Sequence, residues 1–293
     1  MKYQAIRNAA KEYPITAQCE MLDVSESGYF SWLKREPSQR SQEDSQLKPV
    51  IRQAWDASQQ SYGVPRIYLD LQDQGLPVGR NRVARLMREI GIQGKTIRKK
   101  RPKTTLSNPN HAAAPNHLNR EFAPGPETVN QVWISDITYI DTEEGFLYLA
   151  GIMDLHSRQL VGLAMDDQMP TSLVTSALDM ALFQRQISPE NNALMFHSDR
   201  GSQYTSHRFQ ETLSEYGIKA SMSRVGNCWD NAPMESFWAT LKRECADKPF
   251  ASFDEARSKI FSYIMGFYNQ RRRHSSLGYL SPVLYENLHL RRN

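Results

Sequence analysis

From about Val129 onward, apolar β-branched and aromatic runs alternate with amphipathic stretches, and that order limits the folds open to the chain. Strands are expected at 131–140, 146–154 and 159–166, followed by a helix at about 171–186. A strand at 193–198, a helix at about 206–216 and a short strand at 218–223 come next. A helix carrying Glu235 then begins with Pro233 near its first turn. Further helices are expected at about 252–272 and from Ser281. Three leading strands followed by alternating helices and strands predict an α/β fold, a mixed sheet flanked by helices.

Three acidic residues sit at telling places in this pattern. Asp136 lies inside the buried-strand run Trp133-Ile-Ser-Asp-Ile-Thr-Tyr-Ile140. Asp199 follows the apolar run from Ala193 to Phe196, where a strand gives way to a loop, and Glu235 lies on the later helix. Taken singly, each has an ordinary reading: a strand-end residue, a turn residue, and a first-turn acid favoured by the helix dipole. Jointly they form the oxygen-donor set that Mg²⁺ or Mn²⁺ prefers. Such a set can hold two ions about 3.5–4 Å apart for in-line attack on a phosphodiester. Thirty-five residues separate Asp199 from Glu235, and Lys242 follows seven positions later, two turns along the same helix face.

The flanking residues are more specific than any one carboxylate. They are Trp133-Ile-Ser-Asp-Ile-Thr-Tyr139, His197-Ser-Asp-Arg-Gly-Ser-Gln-Tyr-Thr-Ser206, Gly226-Asn-Cys-Trp-Asp-Asn-Ala-Pro-Met-Glu-Ser-Phe-Trp238 and Tyr268-Asn-Gln-Arg-Arg-Arg-His-Ser-Ser-Leu-Gly-Tyr279. With these in view, the chain closely resembles the DDE transposases and retroviral-type integrases. Within them it is similar to the second-frame (OrfB) protein of the insertion-sequence three family, over nearly its whole length. The resemblance implies an RNase H-like catalytic core with a five-stranded sheet. It also implies a metal-dependent transposase that cleaves element ends and joins the 3′-hydroxyl to another strand through a circular intermediate, as a homo-oligomer. Asp136 would bridge two metals, with Asp199 and Glu235 each completing one shell. A first-frame (OrfA) segment, as partner or fusion, is part of the same expectation.

Composition sets bounds. At 293 residues, 40% of them hydrophobic, the chain is long enough for about two domains with real cores. No apolar run approaches a membrane span, and the N-terminus lacks a secretory apolar stretch, so a cytoplasmic protein is expected; the resemblance implies a prokaryotic, nucleoid-associated one. Cys19, Cys228 and Cys245 form no CxxC pair, and His111 and His117 have no nearby cysteine pair, so no zinc module is expected. The net charge of +4 hides an asymmetry. Residues 1–125 carry 20 basic and 12 acidic side chains, whereas 126–293 carry 16 and 20. A basic front half points to a polyanionic partner; the resemblance implies that this is double-stranded DNA, the element's terminal inverted repeats and its target.

Four segments are expected. Residues 1–40 read as short helices, either a small helix-turn-helix or a plain hairpin, with Ser25 capping Gly28–Lys34. Residues 41–103 read as a helix-turn-helix domain with a basic tail, its helices at about 44–57, 65–74 and 79–90. The third helix pairs an apolar side with Arg80, Asn81, Arg82 and Arg85, as a DNA-recognition helix requires. Ten basic residues against one acidic fall between Gly79 and Lys103, including Arg98, Lys99, Lys100 and Arg101, read as a phosphate clamp. A Pro-, Asn- and Ala-rich linker at 104–127 leads to the catalytic domain at 128–293.

Other residues have two readings at this level. Lys242 is expected on DNA phosphate, and Arg271, Arg272 and Arg273 on donor or target phosphates, though a cationic helix end would also favour them. His197, two residues before Asp199, either contacts the scissile region or orients a ligand. Asn231, with Asn227 and Trp229, shapes the entry to the Glu235 helix. Trp238 either stacks on a terminal base or packs in the core. Asp154 is taken as a structural turn. Two other functions fit parts of the chain: a DNA-binding regulator without chemistry, which has no use for the three carboxylates, and a ribonuclease of the same fold, which has no use for the helix-turn-helix.

Overall fold

The computed structural model describes residues 2–96, 115–118, 127–189, 193–223 and 231–290. Arg98, Lys99, Lys100 and Arg101, and nearly all of the 104–127 linker, lie outside the described residues.

Helices α1 (Lys2–Ala9), α2 (Ile15–Met21) and α3 (Glu26–Leu33) gather around buried Ile6, Cys19 and Tyr29. Ser25 caps α3 as expected, its Oγ accepting from the Gly28 N–H at 3.1 Å. Helices α4 (Gln39–Ala57), α5 (Val64–Asp73) and α6 (Arg80–Glu89) form a second unit on Ile51, Ile67, Leu71, Val83 and Leu86, all fully buried. Ser38 caps α4 (Oγ to the Ser41 N–H, 3.3 Å), so the helix starts five residues before the expected Asp44.

Arg82 and Arg85 are both ion-paired on α6, with 21% and 37% of their side chains exposed. Arg82 Nε and Arg85 Nη2 donate to the two oxygens of Asp44 on α4, at 2.7 and 2.6 Å. Glu43 and Glu89 take a further bond each, at 3.0 and 2.6 Å. These guanidinium groups fasten α6 to α4. Arg80 and Asn81 are exposed on the same helix, and Arg88 with them.

The five strands are β1 (Val132–Thr142), β2 (Gly145–Asp154), β3 (Leu160–Asp166), β4 (Met195–Ser198) and β5 (Lys219–Met222). They lie in the order β3-β2-β1-β4-β5. The first three form an antiparallel meander, while β4 and β5 run parallel to β1. This is the mixed five-stranded sheet anticipated. Helices α7 (Thr171–Arg185) and α8 (His207–Glu215) cover one face over Trp133, Ile152, Phe196 and Phe209. The backbone of α7 comes so close to β3 that a Cβ at Gly162 would lie 2.2 Å from the Ala177 carbonyl oxygen.

The other face carries α9 (Ala232–Glu244) and α10 (Phe253–Phe261), which continues as a π-helical stretch over Ser262–Tyr268. The wider turn brings Tyr263, Ile264, Phe267 and Tyr268 all into the core. At its end, Asn269 exchanges two hydrogen bonds with the backbone of Leu160, at 2.9 and 3.0 Å. Helix α11 (Pro282–Leu290) closes the described chain.

Arg272 and Arg273 turn inward, correcting the expected DNA contacts. Arg272 makes a two-pronged pair with Glu244 at 2.7 and 2.8 Å, and both side chains are almost wholly buried. Tyr263 OH and Arg243 also donate to that carboxylate, at 2.8 and 3.0 Å. Arg273 reaches across to the helical unit, donating to Asp70 Oδ1 at 2.6 Å and to Asp73. Tyr62 OH donates to the Arg271 carbonyl and accepts from the Arg273 N–H, and Arg66 Nε donates to the Arg273 carbonyl at 3.0 Å. Lys95 Nζ donates to the Glu244 carbonyl at 2.9 Å. The α4–α6 unit is thus fastened to the sheet-bearing part through Arg273, Tyr62, Arg66 and Lys95. Arg271 stays exposed.

Arg272, with Arg243 and Tyr263, holds the Glu244 carboxyl down to about 2 against its burial. Its stabilising share is therefore complete above about 4.5 and fades as the pH falls toward 2. Glu244→Ala strands the Arg272 charge, and urea denaturation at pH 7 is expected to show a loss of about 3–5 kcal/mol.

Candidate active site

The strand register places the first two carboxylates. In the parallel pairing Ile134 lies opposite His197, so Asp136 on β1 stands level with Asp199, just beyond the end of β4. Across the antiparallel pair, Asp136 faces Gly151. The Gly201 N–H donates to Asp199 Oδ1 at 2.8 Å, fixing the turn. The third carboxylate comes from the start of α9. Asn231 Nδ2 donates to the Ser135 carbonyl at 2.9 Å and ties that end of the helix to β1 beside Asp136. Glu235, in the first turn of α9, is exposed.

Burial, and then the negative charge of Asp199, push the Asp136 carboxyl up to about 7, with a smaller contribution from Glu235. The Trp238 indole N–H, donating to Asp136 Oδ2 at 2.9 Å, and the Ile137 backbone N–H pull the other way. Burial alone raises Asp199 and Glu235. Among the described residues, no three His, Cys, Asp or Glu side chains stand grouped at metal-ligand spacing. The donor set nevertheless fits a hard divalent cation. It is all carboxylate oxygen, and burial beside a second acid makes its central member reluctant to ionise, a state that a nearby cation would oppose.

His197 is fully buried. Its Nδ1 meets Ser221 Oγ at 2.9 Å and its Nε2 meets Ser223 Oγ at 3.2 Å, both hydroxyls lying at the β5 end. Of its two readings, contact with the scissile region is ruled out by burial. The ring locks β5 to β4 where Asp199 emerges. Arg200 Nε adds a bond to the Ser223 carbonyl at 2.8 Å. Lys242 Nζ lies 4.5 Å from the centre of the Tyr139 ring, on the site side of α9. Burial lowers its pKa, while Asp141 and Asp136 raise it. Asp154 accepts from the Asn130, His156 and Ser157 backbone N–H groups, the structural turn expected. Asn227 and Trp229 lie outside the described residues.

Two participants escaped the sequence reading. Ser135 and Tyr204 share a buried hydrogen bond at 2.8 Å behind Asp136. Trp238 is core and also a partner of Asp136, a role its one-turn spacing from Glu235 allowed but did not specify.

Residues 126–228 and 216–282 match two integrase core domain families, and residues 41–101 match an HTH-like domain family. The chain is similar to a 31 kDa protein of insertion element IS600 from Shigella sonnei, 47% identical over 91% of this chain and 96% of that one. It is similar to transposase InsF for insertion sequence IS3A of Escherichia coli (strain K12), 40% identical over 99% of this chain and 100% of that one. Among solved structures, the HTLV-2 integrase catalytic core domain in complex with magnesium covers 54% of this chain and 97% of its own at 18% identity and a TM-score of 0.42.

In the cation-free protein, Asp136 binds a proton in the folded state between about 4 and about 7 that it lacks unfolded. Stability therefore falls as the pH rises through that window. Asp136→Asn removes this penalty, so its melting temperature in chelator is expected to exceed the wild type's at pH 8, with the gap narrowing as the pH falls and closing near pH 4.

Proposed function

This chain belongs to the transposase family of insertion sequence IS3, and we propose that Asp136, Asp199 and Glu235 are the catalytic carboxylates of its DNA cleavage and strand-transfer reactions. The observation that supports this reading is the levelling of Asp136 with Asp199 by strand register, with Asn231 tying the start of α9, the helix that bears Glu235, to the Ser135 carbonyl. As a DDE-type phosphoryl-transfer enzyme, the protein needs no covalent intermediate on a Ser or Tyr. Two divalent cations, Mg²⁺ or Mn²⁺, would activate the attacking oxygen and neutralise the leaving one when bound. Asp136, Asp199 and Glu235 would hold them. Lys242, on the same helix face as Glu235, would meet a phosphate near the DNA terminus.

DNA contact is assigned to the exposed Arg80, Asn81 and Arg271, and to Arg98, Lys99, Lys100 and Arg101 in the basic tail. Residues 41–103 act as the DNA-binding domain and 128–293 as the catalytic one. The substrates are the element's terminal repeats and a target duplex, engaged by an oligomer of this chain in the bacterial nucleoid. A first-frame segment, as partner or fusion, supplies further end recognition. No helix among the described residues is long and apolar enough to cross a membrane.

Labelled DNA carrying the element's ends, incubated with Mg²⁺ or Mn²⁺, is expected to be cleaved and joined by the wild type. Glu235→Gln should bind that DNA and do neither. Binding with equal joining by the variant would remove Glu235 from the site. Binding without chemistry by either protein is to be followed by the same assay on the first-frame fusion.

A further inference from the structure

Resting on the assignment of Asp136 as a metal ligand, we propose that Trp238 is a positioning residue that sets the orientation of that carboxylate and couples it to the helix bearing Glu235. Trp238 lies three residues after Glu235 on α9, one turn along. Its indole N–H donates to Asp136 Oδ2 at 2.9 Å. Only 5% of the residue is exposed, so the ring does not stack on a nucleobase.

Gly151 makes this contact sterically possible. It is the β2 residue directly across from Asp136. A Cβ there would lie 2.7 Å from Trp238 Cη2, 3.2 Å from Cζ2 and 3.3 Å from Met234 Cε. Without a side chain at 151, the indole lies against the strand and its N–H reaches the neighbouring β1 residue. Phe237, with its ring centre 4.8 Å away, supports the indole from its own helix. The arrangement has one donor, one acceptor and one missing side chain, and each fixes the other two.

The consequence is mechanical. Asp136 stands on the central strand and Glu235 on a helix, and the indole bond joins the two. A shift or roll of α9 that moved Glu235 would pull on Asp136 Oδ2 as well. One carboxylate oxygen is therefore held by a rigid ring that has only two side-chain torsions, instead of being free to rotate. An outer-shell donor of this kind typically accounts for about 10–100-fold in metal affinity or activity.

The test uses the full-length chain without DNA, with Mn²⁺ as the probe, and compares wild type, Trp238→Phe, Gly151→Ala, the double variant and Asp136→Asn. Trp238→Phe keeps an aromatic ring but removes the N–H donor together with the rest of the pyrrole ring. Mn²⁺ affinity, read by proton relaxation, is expected to weaken about 10–100-fold in Trp238→Phe. Gly151→Ala should weaken it similarly by displacing the ring. The double variant should lose no more than the worse single, because both break one contact.

A merely structural tryptophan would not report on the carboxylate. The Trp238 indole N–H resonance, assigned by its loss in Trp238→Phe, is expected to move on Mg²⁺ addition and to shift in cation-free Asp136→Asn. If Asp136→Asn abolishes Mn²⁺ binding while Trp238→Phe binds as tightly as wild type, the positioning role is overturned and the site stands. If Asp136→Asn leaves Mn²⁺ binding intact, the site assignment fails and this inference with it.

Discussion

A carboxylate on the central strand of a two-faced sheet is the constraint around which the catalytic half is arranged. Asp136 sits beside a second acid, in surroundings that resist its charge. The chain meets this with donors, not with a buried cation: the Trp238 indole and the Ile137 backbone N–H. Those donors offset only part of the penalty, so the carboxyl keeps a proton near neutrality.

The rest of that edge serves the same end. Strand β4 stops at Ser198, and His197 pins it to β5 through two serine hydroxyls, so Asp199 leaves the sheet at a defined level. Asn231 attaches the beginning of α9 to the Ser135 carbonyl, next door to Asp136. Further along α9, Glu244 anchors Arg272 from the segment after the π-helical turn. The next residue, Arg273, grips Asp70 and Asp73 of the helical unit. One helix therefore carries a candidate catalytic acid at its start and, at its end, an anchor of the joint to the helix-turn-helix unit. The exposed side of α6 is held at a set position relative to the site, which suits a protein that must bind a DNA end and act on it.

Much of this was readable in the residues. Strand and helix positions from 131 to 222 emerged within a few residues, because apolar periodicity is a local property that the sheet and its flanking helices exploit directly. Asp136 falls within β1, Asp199 just past the end of β4 and Glu235 in the first turn of α9, the settings expected for them. The arginines were not. Arg82, Arg85, Arg272 and Arg273 looked like a DNA-facing supply of charge, yet each is taken up by an acid distant in sequence: Asp44 for the first two, Glu244 for the third, Asp70 and Asp73 for the last. A count of basic residues cannot register partners that only folding brings near. The π-helical turn escaped for a similar reason, since helical spacing over 252–272 does not say where one extra residue will be accommodated.

The sequence by itself determined the α/β order of elements and the family, because these follow from local pattern and residue type. The tertiary structure decided which charges face solvent and which bind each other. It also decided that Trp238 serves Asp136 instead of a nucleobase, through a gap left by Gly151 on another strand. The physical reason is range. Periodicity and capping act over a few residues along the chain, whereas ion pairing and the fit of a ring against a missing side chain depend on distances that exist only after the sheet and helices have packed.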